Sequence, residues 1–497
     1  MNSIRKNFFY NASYRVFLIL IPLIITPYLS RILGAEGVGF FSYTNAVVGY
    51  FVLFGMLGVS TNGMRAVAAR SSQGKEAVSS AFWGIYIGQI ITCFVACLAY
   101  VVYCLFFSGE YLIASLLWLP YMLSATVDIS WFLFGLSEFR IPTIRNFILQ
   151  TLSTVCVFLF VKGTDDVFLY IAITSGVGLV SQLCLWPYAV KHLSINKPSA
   201  KKIFFELKNN LILFIPVVAI SFYTSIDKVM LGVISGMEEN GYYTYAEKIS
   251  SVLMAVITAL GTVMLPKMTS LFTEKKRQEG IEMLNLSMWG MLMCSLFVMF
   301  GIWSVAAELV PIFLGSSFMP CIVPLCILAI RTPVVAMSNV VGNQYLLPLK
   351  RDKLYTFSVC LGAILNMLLN LILIPFWGAV GAALSTVAAE LVVLFVQMIN
   401  TKKELQFFTY IKNAMPCFLI GLIAMFLTRI TVDVLMKLLG RGVTLLVVEI
   451  TVFLIFLIAA TFFIFKITRN REFCKFVEVI FPAAIAKKLI AFVLGSH

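Results

Sequence analysis

Fourteen stretches of this chain are apolar enough and long enough to cross a hydrocarbon layer, which restricts it to helices that run through lipid. A helix needs about 20 mostly apolar residues to span a bilayer, and such windows lie near 14–33, 40–64, 81–106, 111–135, 144–161, 167–190, 209–234, 241–265, 284–305, 318–346, 355–375, 379–400, 411–432 and 442–466. Twelve is the lower count these windows allow, and the shallow stretch after Ala306 leaves room for a re-entrant segment. Composition agrees: 61% of the 497 residues are hydrophobic and 12% charged, against about 45–50% and 25% in soluble domains. The expected fold is all-α and integral to the membrane. No cleavable signal peptide is expected, because Asn7, Asn11 and Arg15 interrupt the start and the first apolar stretch is of spanning length.

The basic residues orient the spans. With the N-terminus cytoplasmic, 28 of the 37 Lys and Arg fall in inner segments and five in outer ones. The inner set includes Arg65, Arg70 and Lys75, the central run from Lys191 to Lys208, and Lys350, Arg351 and Lys353. The outer loops instead carry acids such as Glu110, Asp165, Asp166, Glu238 and Glu239. That asymmetry is the positive-inside pattern and puts both termini in the cytoplasm. It also assigns the net charge of +14 to topology and anionic lipid head groups, not to nucleic acid. The stretch 470–494, with Lys487 and Lys488 beside Leu489 and Ile490, reads as an interfacial amphipathic helix.

The chain repeats itself. Ile21-Pro22 in span 1 recurs as Ile215-Pro216 in span 7, and Gly39-Phe40-Phe41-Ser42-Tyr43 at the start of span 2 recurs as Gly241-Tyr242-Tyr243-Thr244-Tyr245 in span 8. The expected organisation is therefore a six-helix bundle at 1–190, a basic cytoplasmic linker at 191–208, a second six-helix bundle at 209–400 in parallel orientation, and two further helices with an amphipathic tail at 401–497. Parallel six-helix repeats around a central site are a transporter plan. Pro22, Pro27 and Pro216 remove backbone donors within spans and are candidate gating kinks, unless neighbouring helices simply accommodate them.

Charges at membrane depth carry the functional reading, since they are costly and face bundle interiors or watery cavities. The cations are Arg15 and Arg31 at the two ends of span 1, Lys228 in span 7, Lys248 in span 8 and Arg331 in span 10. The acids are Asp128, Asp227, Glu247 and Glu390. Ser221, Thr224, Ser225 and Lys228 share one face of span 7, as do Thr244, Glu247, Lys248 and Ser251 in span 8. Two readings stand. Opposite charges can pair and merely hold helices together, Asp227 with Lys248 or Glu247 with Lys228. Alternatively, the cations line a hydrated cavity for a phosphate-bearing anion, while Asp128 or Glu390 carries a coupling H+ or Na+. No other cofactor is expected. With only two histidines, His192 and His497, and eleven cysteines scattered through the spans, a metal or redox site is not expected.

Several motifs then carry a resemblance. They are Pro27 to Gly39 at the span 1–2 junction, Trp131 to Phe139 with Arg145-Asn146, Asp227 to Gly232, Ala246 to Ile249, Leu260 to Pro266, Gln344 to Pro348 and Gly381 to Glu390. The chain resembles the polysaccharide transporter family, the oligosaccharide flippases of the multidrug/oligosaccharidyl-lipid/polysaccharide exporter superfamily. The resemblance implies alternating-access transport of undecaprenyl-diphosphate-linked oligosaccharide repeat units to the outer leaflet of the bacterial plasma membrane, for capsule, exopolysaccharide or O-antigen. It implies polysaccharide polymerase and chain-length proteins as partners, beside membrane lipids. It carries family-type roles to Arg31, Asp227, Lys228, Glu247 and Lys248, which lie inside matching motifs, whereas Arg15 and Arg331 rest on charge and position. Where the family often has Gln-Gly before an acid, this chain has Phe134-Gly135-Leu136-Ser137-Glu138, so no polar role passes to position 134. A peptidoglycan lipid II flippase is the close alternative and a multidrug/cation exporter the more distant one. An enzyme is disfavoured, because no outer loop exceeds about fifteen residues, which leaves no room for a catalytic domain.

Overall fold

In a computed structural model, residues 2–274, 276–439, 442–468, 471–480, 490, 491 and 493 are described, residues 2–20 and some scattered helical positions by their backbone alone. The described chain is helical, with no strand among the described residues. It forms two compact units, Met1–Gly241 and Tyr242–His497. Among the described residues, nine helical stretches have the length and hydropathy to cross a membrane, and a bent pair, Gly109–Leu117 with Leu119–Gly135, makes a tenth. The protein is therefore an all-α, multi-pass membrane protein.

The first unit contains α1 (Asn2–Met56), α2 (Val59–Ala68), α3 (Lys75–Phe106), α4 (Leu112–Leu117), α5 (Leu119–Val127), α6 (Ser130–Gly135), α7 (Arg140–Phe160), α8 (Val167–Leu183), α9 (Trp186–His192) and α10 (Ala200–Ile234). The second contains most of α11 (Met237–Thr273), then α12 (Arg277–Phe313), α13 (Ile322–Asn339) continued by a π-helical turn Val340–Leu346, α14 (Asp352–Thr401), α15 (Phe407–Leu439), α16 (Val443–Thr468) and α17 (Arg471–Ile480). At 1.5 Å per residue, a 50-residue helix such as α14 is more than twice the thickness of a hydrocarbon core. Both long helices resolve this by breaking at a glycine: α1 at Gly34 (φ 67°) and α14 at Gly378 (φ 49°). L-residues avoid that left-handed backbone, so the breaks fall where the sequence supplies glycine. Once α1 and α14 are divided, the sequence windows fall on successive helical stretches, with 40–64, 111–135 and 167–190 each running across a short break, which is compatible with fourteen spans.

The break in α1 is at Gly34, while Pro22 and Pro27 stay inside the helix. The Pro216 side chain is outside the described residues. The fourth span bends by 43° between Leu117 and Leu119 and is interrupted again by an Asx turn: the Asp128 carboxylate accepts from the Ser130 backbone N–H (2.8 Å) and hydroxyl (2.6 Å), starting α6.

Within the first unit the start of α11 meets α1 through a reciprocal contact. A Cβ on Gly39 would lie 1.7 Å from the Met237 carbonyl oxygen, and one on Gly241 2.0 Å from that of Ala35. Each glycine thus faces the residue four positions before the other, a local two-fold relation between the matched motifs. Asn240 seals it by donating to the Gly39 carbonyl (2.8 Å).

The core of the first unit is aromatic, built on Phe82, Trp131, Phe132 and Trp186. Its polar centre is Gln89, fully buried, which donates to the carbonyls of Ala125 (2.7 Å) and Asp128 (2.8 Å) and accepts from Trp131 Nε1 (3.1 Å). Every hydrogen-bonding group Gln89 brings into the apolar interior is thereby matched. The basic segment after α9 docks on the start of α3: Trp83 Nε1 donates to the Ser194 carbonyl (2.9 Å) and Lys75 Nζ to that of Lys191 (3.2 Å).

In the second unit, loops that the charge pattern puts on one face do meet. Glu404 accepts a two-pronged pair from Arg351 (Nη1–Oε1 2.8 Å, Nη2–Oε2 3.1 Å), a contact from Arg277 (3.4 Å) and the Tyr345 hydroxyl. These donors hold the Glu404 carboxyl below its usual range, the Arg351 hydrogen bonds contributing most.

Candidate functional site

The first unit has a half-open cavity of about 400 Å³, a small-molecule scale. The second half of α1, the start of α2, Tyr121 of α5 and the polar face of α10 surround it. Its polar lining comprises Ser42, Asn45, Tyr50, Ser60, Thr61, Tyr121, Ser221, Ser225 and Lys228. Helical spacing explains the two main walls: Ser42, Asn45 and Gly49 recur at three and four residues on α1, and Ser221, Ser225 and Lys228 do so on α10. Gly49 leaves its side open, with nothing within 4 Å of where a Cβ would stand.

Lys228 is the charged residue among the described lining side chains. Asp227, next to it in sequence, is turned inward and is 2% exposed. Tyr50, which lies near Asp227, also donates to the Ser221 carbonyl at 3.4 Å. The wall therefore offers an ammonium, hydroxyls and an amide, which suits an anionic group carrying sugar-like hydroxyls. Behind it, Asn62 donates to Glu206 (3.1 Å) and Asn210 (2.8 Å), tying α2 to α10 through buried groups.

Of the other intramembrane charges that sequence singles out, Arg331, Glu390, Lys248 and Glu247 lie in the second unit, whereas Asp128 and Arg31 lie in the first. Arg331 and Glu390 form an ion pair, Nε–Oε1 3.9 Å, with side chains 15% and 10% exposed. Lys248 Nζ sits 5.5 Å from the Tyr245 ring centroid, a cation–π arrangement, and Ser251 donates to Glu247 at 3.4 Å. Arg31 is exposed, three residues before the Gly34 break. The Arg15 side chain is outside the described residues. The cavity therefore gathers Lys228 with residues that charge alone does not reveal: Asn45, Tyr50, Ser60 and Thr61. Their spacing on α1 and across the α1–α2 turn was the available signal.

The chain is thus a polytopic helical membrane protein with a lysine-bearing polar cavity inside one helical unit, the build of a membrane transporter. Sequence comparison gives the family. The chain belongs to the polysaccharide biosynthesis protein family, whose pattern matches residues 4–272. A relative from Escherichia coli K12 bearing the name "Putative O-antigen transporter" is 24% identical over 399 residues, covering 79% of this chain and 95% of the relative. Among solved structures, the lipid II flippase MurJ in an inward closed conformation superposes with a TM-score of 0.72 at 16% identity, over 92% of this chain and 98% of that one. An inward-facing multidrug resistance MATE transporter of the MOP superfamily gives 0.57 at 11% identity, over 78% of this chain and 97% of that one. These two likenesses concern the fold.

Proposed function

We propose that the protein is a flippase that moves undecaprenyl-diphosphate-linked oligosaccharide repeat units from the cytoplasmic to the outer leaflet of a bacterial plasma membrane, by alternating access between two six-helix bundles. The observation that carries this reading is the polar cavity with Lys228 on its wall, inside a unit whose outer surface is apolar. A diphosphate bearing a glycan cannot leave water for hydrocarbon unless polar groups replace its hydration. Lys228 supplies a point charge for phosphate oxygens, and the serine, threonine, asparagine and tyrosine groups supply hydrogen bonds for sugar hydroxyls. Family membership and the name of the Escherichia coli relative support the substrate class. Capsule, exopolysaccharide or O-antigen is the expected product, with a polymerase and a chain-length protein downstream.

The test uses a gene-deletion strain complemented with variants. Deletion should make repeat units accumulate on undecaprenyl diphosphate, with loss of surface polymer in viable cells. Lys228→Ala should fold and reach the membrane, yet transport about ten- to a hundredfold more slowly, the equivalent of one charge-assisted contact. Normal surface polymer in that variant would sink the cavity reading. Lethal deletion with lipid II accumulation would indicate a peptidoglycan flippase, and drug sensitivity with intact polymer an exporter. Arg331→Ala is a poorer probe, because Arg331 is engaged with Glu390.

A further inference from the structure

The last helical pair carries a charged cluster that the cavity does not use. Arg429 on α15 reaches two carboxylates with the same nitrogen: Nη1 lies 3.0 Å from Glu308 Oε2 on α12 and 3.4 Å from Glu449 Oε1 on α16. Its other nitrogen, Nη2, donates to the Trp303 carbonyl at 3.3 Å. The Glu449 side chain is 0% exposed, and neither of its carboxylate oxygens has a hydrogen-bond partner among the described residues. Among the described residues, the other titratable groups facing the cluster are Asp433, exposed on α15, and Cys326 on α13, whose thiol lies near the guanidinium. Asp433 adds negative charge, and neither group offers a second cation.

One guanidinium therefore faces two carboxylates within apolar helices. If both ionise, the cluster keeps a net negative charge, and one fully buried carboxylate lacks the hydrogen bonds that would replace water. The two carboxyl groups, held on one guanidinium nitrogen, also interact directly with each other, and like-charged carboxyl groups in contact relieve their repulsion by retaining a proton between them. Glu308 lies five residues from the end of α12 and Glu449 six residues from the start of α16, about two turns or less from a helix end. Water at that face is thus a short distance away as the proton source.

We propose that Glu308 and Glu449 share one proton against Arg429, forming a proton-binding site in the C-terminal helices. Uptake places one hydrogen on an O–H···O link between the carboxyl groups and leaves the trio neutral; release leaves it with one negative charge. The site is independent of the flippase reading, and its occupancy is measurable without transport.

The full-length protein in lipid nanodiscs should give a protonated-carboxyl C=O band in pH-difference infrared spectra in choline chloride buffer. The band should shift on 13C-glutamate labelling and disappear on alkalinisation. Charge counting gives the discriminating result. Glu449→Gln and Glu308→Gln should each remove the band, because the remaining carboxylate alone balances Arg429 and needs no proton. Thermal unfolding checks that each variant is folded, and the wild-type labelling shift stands even if one is not. A band that survives both single substitutions, or no such band in the wild type, overturns the proposal. So does its removal when sodium replaces choline at constant pH, which would make the site a sodium site.

Discussion

Arg331 and Glu390 illustrate how a residue's environment decides what its charge can do. Removing one partner of a nearly buried pair leaves the other as an uncompensated charge, at a cost of about 3 kcal/mol. Arg331→Ala should therefore lower the unfolding midpoint markedly. Adding Glu390→Gln should restore part of it, because the stranded carboxylate is gone. A double-mutant cycle on detergent-solubilised protein checks this, and additive losses would show that the 3.9 Å contact contributes little. Glu404 makes a complementary case outside the membrane. Its carboxyl is held below the usual range by Arg351, so its contribution is present above the unfolded pKa of about 4.3 and vanishes as pH falls through the folded value. Glu404→Gln should lower stability by about 1 kcal/mol at neutral pH, as for a partly exposed ion-pair network. As pH falls from about 4.3 through the lower folded value, the variant and the wild type should converge. An unchanged gap between their melting curves in acid would mean that packing of Glu404, not its charge, matters. Sequence made these charges visible but not their partners, since Arg331 and Glu390 are far apart in the chain and pairing depends on which helix faces turn together.

At the scale of elements, the junctions were more legible than the interior. The glycines at 34, 39 and 241 stand out in the sequence motifs, and the structure uses them for a helix break and a close backbone crossing. A Cβ at Gly39 would fall 1.7 Å from a backbone carbonyl, and no rotamer change relieves a clash with main chain. Gly39→Ala should cost about 3 kcal/mol, and Gly241→Ala should do likewise through the reciprocal contact with Ala35. Gly49→Ala, which faces open space in the cavity wall, is the matched control and should leave the melting temperature unchanged. Equal behaviour of the Gly39 and Gly49 variants would refute the crossing. Hydropathy located the helices because lipid leaves the backbone no alternative. It could not find the cavity, because Asn45, Ser60 and Thr61 are mild polar residues within apolar windows. Nor could it place the fourth-span break, which depends on the Asp128 side chain turning back onto its own backbone. The Arg429 cluster was hidden for another reason: Arg429, Glu308 and Glu449 are far apart in the chain, and only the convergence of α12, α15 and α16 brings them together.

For the molecule as a whole, the distribution of Lys and Arg makes a claim that spectroscopy on variants cannot reach, namely which face is cytoplasmic. Within each unit, loops assigned to the same side touch: Lys75 with Lys191 in the first, Arg277, Arg351 and Glu404 in the second. The 28-to-5 bias of basic residues predicts that these loops are cytoplasmic and that the short turns at Gly34, Gly236 and Gly378 lie outside, because positive segments near span ends resist translocation. Alkaline phosphatase needs disulfides and is active only when exported to an oxidising compartment. Fused after Glu239 it should be active, and fused after Lys350 or at the C-terminus it should be silent, with a fluorescent-protein fusion giving the reverse pattern. Activity at 350 and silence at 239 would invert the protein. The Lys228 end of α10, eight residues before the Gly236 turn on the predicted outer side, would then lie toward the cytoplasm. On the proposed function and in the predicted orientation, a head group arriving from the cytoplasm would meet the α1–α2 end of the cavity, with Ser60 and Thr61, before reaching Lys228, which makes the ammonium a destination that draws the diphosphate across and not a site of first capture.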